Sequence, residues 1–444
     1  MCKKVFVVLI FLLIQKIAFS AVEMQANPKR YVISDFGARG DGAFVCTRAI
    51  QAAIDKCSGE HGGVVVIPEG VFLSGAIFIK LGVSLRVEKE GVLKGTTNID
   101  DYPAVRTRWE GQDREWTAAL INAFDVSNIE LAGEGTIDGS GDEWTVLFLR
   151  NPARRPADPA TGETASSGAT HSSSTSPVRR GRPRLIALQN CRDVRVSKLH
   201  LKNQASWGLF MVYSENITAE DLVIRAEHNI PSSDGMDIDS CRRVHVVGCD
   251  IDVNDDCISI KSGKDEEGRR ANRPAEDILI EKTRFGYGHG GVAMGSEVSG
   301  GIRNVEVRDC IVEAGNWAPV RFKSQPSRGG VLENIVYRNI EIRDARQAVE
   351  VQLEWRLVPP LAPAAPKLTM LENVRFIHLV GKVASVGILH GYKDTPLTGL
   401  KFEDCHLSAQ HGLTMENVGE VDTSGLSVEV KEGPALVRRE AVMK

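Results

Sequence analysis

The 444-residue chain reads as an all-β protein, a single-stranded parallel β-helix closed at its N-terminal end by a capping helix. Three observations point there. Gly is abundant at 42 residues while aromatics make up 6%, a balance that suits a turn-rich β protein better than a helical one. Apolar residues at relative positions 1, 3, 6 and 8 return along the chain, and copies between Val194 and Ile335 begin 23, 27, 34, 27 and 30 residues apart. No helical period intervenes, and short strands at that interval are the signature of a solenoid whose core grows coil by coil.

The elements follow in order. Lys3 and Lys4, the apolar run Val5 to Ile14 and the small residues around Ala18-Phe19-Ser20 form a signal peptide over residues 1–20. Ten apolar residues are too few to span a bilayer, so no membrane span is expected. Residues 21–444 then form one β-helix domain. Ala49, Ile50, Ala53 and Ile54 follow helical spacing after Thr47, which reads as the N-cap of the capping helix. Residues 151–184, rich in Ser, Thr, Ala, Pro and Arg, lack the apolar residues needed to order themselves and read as a flexible inserted loop.

The repeat runs through Val194/Val196/Leu199/Leu201, Ile217/Ala219/Leu222/Ile224, Val244/Val246/Cys249/Ile251, Ile278/Ile280/Thr283/Phe285, Val305/Val307/Cys310/Val312 and Ile335/Tyr337/Ile340/Ile342. It returns at Leu400/Phe402/Cys405/Leu407 and Val421/Thr423/Leu426/Val428. Alternation marks a strand and the step of three marks a bend into a second. Asn128, Asn216, Asn304, Asn334 and Asn373 precede first apolar positions and could stack as a ladder. Cys249, Cys310 and Cys405 share one inward slot and read as core residues.

A net charge of −4, with no basic run interleaved with aromatics, argues against nucleic-acid binding. No CxxC pair or HExxH helix supports a zinc site. Neither metal nor other cofactor is expected. Asp237, Asp250 and Asp252 read as turn or outward-facing residues. Asp234 and the adjacent pair Asp255–Asp256 are harder to dismiss, because neighbouring carboxylates repel. Asp234 and Asp255 are 21 residues apart, His289 follows Asp255 by 34, and Arg321 follows His289 by 32. Those near-coil spacings can put all of them on one face, about 5 Å apart per coil. Clustered carboxylates supply an acid and a base for glycosidic cleavage, since repulsion raises one pKa beside ionised partners. Arg321 and Lys323, two apart on a strand, share a face and suit an anionic sugar.

The ordered set "SSDG" (from Ser232), "NDDC" (from Asn254), "GHGG" (from Gly288) and "RFK" (from Arg321) resembles the polygalacturonases of glycoside hydrolase family 28. "DFGARGDG", "AIQAAID", "GEGTIDG" and "GSEVSGGIRNVEVRDC" extend the resemblance over most of Asp35 to Ile342. It implies a right-handed β-helix and metal-free hydrolysis with inversion. It further implies Asp255 as general acid, Asp234 and Asp256 as the pair that activates water, His289 as the tuner of the acids, and Arg321 and Lys323 as binders of a galacturonate carboxylate. Ser232–Ser233 and Asn254 depart from the family's usual Asn–Thr and Gly, leaving the carboxylates in place and the sugar preference open.

These readings converge on a secreted, monomeric hydrolase of pectic polysaccharide. Thr107 to Trp116, Trp144 and the inserted loop all precede Asp234, so bulk there would close one end of the groove and favour attack at a chain end over internal attack. The alternatives are a rhamnogalacturonan or other branched-pectin hydrolase, a polysaccharide lyase that holds calcium with its carboxylates, and a non-catalytic glycan-binding solenoid.

Overall fold

The computed structural model describes residues 28–150, 181–355 and 362–439. The signal peptide and most of the inserted loop lie outside these residues. The last four residues of that loop are described, and Arg184 is buried there at 2% exposure.

The chain coils into a solenoid of parallel strands. Position 1 of the repeat stacks in register, Val194 on Ile217, Val244, Ile278, Val305 and Ile335. Position 8 stacks likewise, Leu201 on Ile224, Ile251, Phe285, Val312 and Ile342. One further coil, beginning at Val374, sits between those of Ile335 and Leu400. Its position 8 is Gly381, where a Cβ would lie 1.8 Å from the Ile342 carbonyl oxygen, so the backbone comes too close for the apolar residue the pattern requires.

Each central coil also carries a third strand that the two-strand repeat does not contain. Leu209–Val212, Met236–Asp239, Asp256–Lys261, Gly290–Met294 and Val320–Lys323 pair successively, and the last continues onto Val349–Gln352. Their inward residues, such as Met236, Ile238, Ile258 and Ile260, join the apolar core. Their outward residues form a polar floor.

The ladder residues occupy the bends. Asn128, Asn216, Asn304, Asn334 and Asn373 all have φ between 51° and 57°, the left-handed conformation that asparagine tolerates. Asn373 donates to Asn334 at 2.8 Å, and Asn334 to Asn304 at 3.3 Å. Cys249, Cys310 and Cys405 are buried free thiols. The capping helix spans Thr47–Gly59 and buries Ile50, Ala53, Ile54 and Cys57. Its N-cap is Cys46 rather than Thr47. The Thr47 hydroxyl instead accepts from the Gly75 N–H at 2.7 Å, which ties the cap to the first coils.

Among the described residues one antiparallel hairpin departs from the solenoid, Ala104–Trp109 with Gln112–Thr117. It folds back over the third-strand sheet, from Trp207 to Lys264 just past the Asp256–Lys261 strand.

Candidate active site

Asp234 sits just before the Met236–Asp239 strand, and Asp255 and Asp256 stand at the entry to the next strand of the same sheet. Alternation lapses there: Asp256 faces out while both Cys257 and Ile258 turn into the core. Both aspartates therefore reach one face. Oxygens of Asp234, Asp255 and Asp256 lie within 4.8 Å of one another.

The next coils bring the counter-charges. His289 Nδ1 meets Asp255 Oδ1 at 3.2 Å. Arg321 Nη1 donates to Asp256 Oδ1 at 3.3 Å, and Lys323 Nζ to Asp256 Oδ2 at 2.5 Å. Gly290 makes room for this, since a Cβ would stand 2.9 Å from Asp256 Oδ1. All six residues singled out by spacing and motif come together. Arg321 also donates to Glu350 at 2.6 Å, a partner one coil further that the same spacing criterion, extended by 29 residues, would have found.

Burial differs among the acids and so does their chemistry. Asp234 and Asp256 are buried, whereas the Asp255 side chain is 29% exposed and faces the groove. Burial, with the negative charges of Asp237 and Asp255, raises Asp234 well above the usual carboxylate range. Burial also presses Asp255 upward, but the hydrogen bond and charge of His289, with Lys323 and Lys261, outweigh it and hold Asp255 low. His289 is raised in turn by its hydrogen bond to Asp255, against burial. The free site thus favours a proton on Asp234. The three carboxylates are the set that could hold a cation, but a metal there would compete with Arg321, Lys323 and His289.

The two departures from the family pattern meet each other. The Ser233 hydroxyl accepts from the Asn254 N–H at 3.2 Å, joining the loops that carry Asp234 and Asp255. Gln204, fully buried, donates to the Ser233 and Asp234 carbonyls at 3.0 and 3.1 Å.

Asp250 and Asp252 face outward on their strand, as read from the sequence. Asp237 is different: it lies on a strand, not a turn, and is fully buried with Lys261 Nζ at 2.9 Å. Its outward direction leads into the groove floor, under the hairpin, rather than to solvent. Trp144 is also displaced from its expected place. It is buried in the core against Tyr102 and lines no groove.

The hairpin does reach the groove. Arg108, 1% exposed, donates to Asp239 Oδ1 at 2.7 Å and Ser240 Oγ at 2.9 Å. Trp109 stacks on Trp207 at 4.6 Å between centroids. Gly111 accepts from the Lys264 N–H at 2.9 Å.

The family model "Glycosyl hydrolases family 28" matches residues 57–427. A "Probable polygalacturonase" of Vitis vinifera is 27% identical over 90% of this chain and 78% of its own length. An "Exo-poly-alpha-D-galacturonosidase" of Dickeya chrysanthemi is 29% identical over 74% of this chain, which spans 58% of that relative's length. The solved exopolygalacturonase of Thermotoga maritima is 25% identical, with a TM-score of 0.72 over 89% of this chain and 93% of the other. The family 28 exopolygalacturonase of Yersinia enterocolitica shares the fold at a TM-score of 0.77, over 94% of this chain and 79% of the other.

Proposed function

The chain belongs to glycosyl hydrolase family 28 and is a glycoside hydrolase acting on O-glycosyl bonds; from that premise we propose that it cleaves α-1,4-galacturonosidic bonds of polygalacturonate from a chain end, by inverting hydrolysis. The observation that carries the reading is the layered charge pattern, three carboxylates beside two buried cations. Pectic substrate is supported by the names of its relatives, secretion by the apolar run after Lys3 and Lys4. No helix among the described residues is long and apolar enough to cross a membrane.

Asp255 is the general acid in this reading because it is the acid facing the groove. Its low pKa belongs to the free site. A bound sugar covers it and brings a carboxylate near, and both effects raise an acid, so the proton held on Asp234 in the free site passes to Asp255 in the complex. Asp256 has an oxygen committed to each of Arg321 and Lys323. That arrangement suits holding water with Asp234 better than attacking carbon.

Attack at a chain end is supported by the hairpin. Its Trp109 packs on Trp207, just before the strand one coil upstream of Asp234, which leaves about 5 Å, or one sugar, on that side. Two relatives with exo activity in their names favour the same mode. Polygalacturonate incubated with the protein, followed by proton NMR and viscometry, tests both claims. Monomer or dimer released with inverted anomeric configuration and slow viscosity loss is expected. Mixed longer oligomers with rapid viscosity loss would refute chain-end attack, and retained configuration would refute the assignment of Asp256.

A further inference from the structure

Three indoles form a column at the closed end of the groove. Trp116 stacks on Trp109 at 4.5 Å, and Trp109 on Trp207 at 4.6 Å. The column ends in a charge, for Lys261 Nζ lies 4.0 Å from the Trp207 ring centroid. Lys261 shares a strand with Asp256 and faces the same floor. Its ammonium is 2.9 Å from Asp237 Oδ1 and 3.8 Å from Glu297 Oε2, and its field reaches both Asp234 and Asp255.

The acid–base roles assigned above leave Lys261 unused. Its side chain is 7% exposed, as accessible as Arg321 at 7% and Lys323 at 10%, the cations read as substrate binders. Apart from that ion contact, neither oxygen of the fully buried Asp237 has a hydrogen-bond partner. A pair placed for structure alone would satisfy the carboxylate better.

We infer that Lys261 is a specificity-determining residue that pairs with the carboxylate of the sugar upstream of the scissile bond, so that the terminal residue must carry a free acid. The position fits, since the ammonium reaches back from the Asp256 strand to Asp237 and the Trp207 ring, on the upstream side of Asp255 and Asp256, and one coil is about the length of one sugar ring. The charges fit as well. Burial pushes the Asp237 carboxyl up to about 6, against the pull of Lys261, and Asp234 is raised too. Asp237 therefore holds the ammonium less firmly than an ordinary carboxylate would, and a fully ionised galacturonate can compete for it.

This inference rests on chain-end attack on galacturonan, and the test separates the two. Trigalacturonate and its analogue methyl-esterified at the non-reducing terminal residue are compared by kcat and KM. If the native protein releases no monomer from trigalacturonate, the chain-end reading fails by itself. If it does, the preference for free acid over ester should fall at least about tenfold in D237N/K261M, the scale of one charge-assisted contact. The loss should appear mainly in KM. The double variant leaves no unpaired Asp237 carboxylate behind, and K261R should restore most of the preference. D237N alone should raise the preference, because the ammonium then has one competitor fewer. An unchanged preference in either D237N/K261M or D237N would overturn the inference.

Discussion

On the proposed chain-end mode, replacing Arg108 with Ala should turn attack toward internal bonds. The Arg108 guanidinium holds the hairpin to the groove floor through Asp239, Ser240 and the Tyr213 hydroxyl, and within the hairpin it also bonds Asp113. Arg108 and Asp239 side chains are each 1% exposed. Removing the cation strands the Asp239 carboxylate, and breaking a buried pair from one side costs about 3–5 kcal/mol. What remains is the Trp109–Trp207 stack, about 0.5–1.5 kcal/mol beyond burial, with hydrogen bonds from the Lys264 N–H to Gly111, from the Asp113 N–H to Glu267, from Gln189 to the Arg106 carbonyl and from Arg184 to the Arg108 carbonyl. The loss exceeds any single one of these ties, so the hairpin should leave the floor more often while the coils below stay folded. Release should appear as a red shift in tryptophan emission with unchanged far-ultraviolet dichroism. The functional readout is viscosity loss per reducing end formed, together with the size of the first products. The expected result is faster viscosity loss and oligomers longer than dimers. A variant with released tryptophans that still yields only monomer or dimer would refute the idea that this hairpin is the wall.

Asp255→Asn should lower kcat by at least about 10²-fold, the scale of general acid catalysis, with little change in thermal midpoint; near-native turnover would remove Asp255 from the acid role. Arg321→Ala or Lys323→Ala should impair action on de-esterified polymer more than on methyl-esterified polymer, by about 1.5–3 kcal/mol for one charge-assisted contact. Equal losses on both polymers would assign these cations to holding Asp256. The His289–Asp255 pair sets a pH window. His289 is raised, so its contribution to stability is complete below about pH 6.5 and is lost as pH rises through the folded value. Asp255 is depressed, so its contribution is present above about pH 3.9 and is lost as pH falls through its folded value. His289→Gln should therefore lower the thermal midpoint most between those limits. It should also move the acidic limb of kcat/KM to higher pH, and a limb that stays in place would show that the pair does not tune the acid.

How much of this was legible in the sequence depends on which force wrote each feature. The coil repeat was legible because burial acts at every position: Val194 to Ile335 stack as the period requires. The coil at Val374 escaped because close backbone approach at Gly381 overrides apolar choice there. The third strand was read only at Arg321 and Lys323, because elsewhere its outward residues are chosen for the groove, as Asp237, Asp239 and Lys261 are. The six site residues were found because stacking converts sequence spacing directly into proximity. Arg108 carries no such signal. It lies 131 residues before Asp239, and the hairpin that delivers it has no place in the repeat. Trp144 went astray for the converse reason, since an aromatic before the acids reads as a possible wall until α-helical packing turns it into the core.

The short spacing of the carboxylates looks at first like evidence for retention, because retaining pairs stand about 5–5.5 Å apart and inverting pairs about 6.5–9.5 Å. That rule treats both carboxylates as free to choose between attacking carbon and activating water. The stacked coils remove the choice. Each coil past the acids adds a cation or its partner: His289 to Asp255, Arg321 and Lys323 to Asp256, then Glu350 to Arg321. A carboxylate pinned at both oxygens is a poor nucleophile, because bonding to carbon would surrender two buried ion pairs. It can still orient a water shared with a neighbour. On the proposed roles Asp234 is that neighbour, with an oxygen inside the same 4.8 Å cluster, and its raised pKa suits it to store the proton the acid needs. On the proposed reading, three acids with oxygens within 4.8 Å of one another are compatible with inversion, because the counter-charges of later coils decide which of them can move.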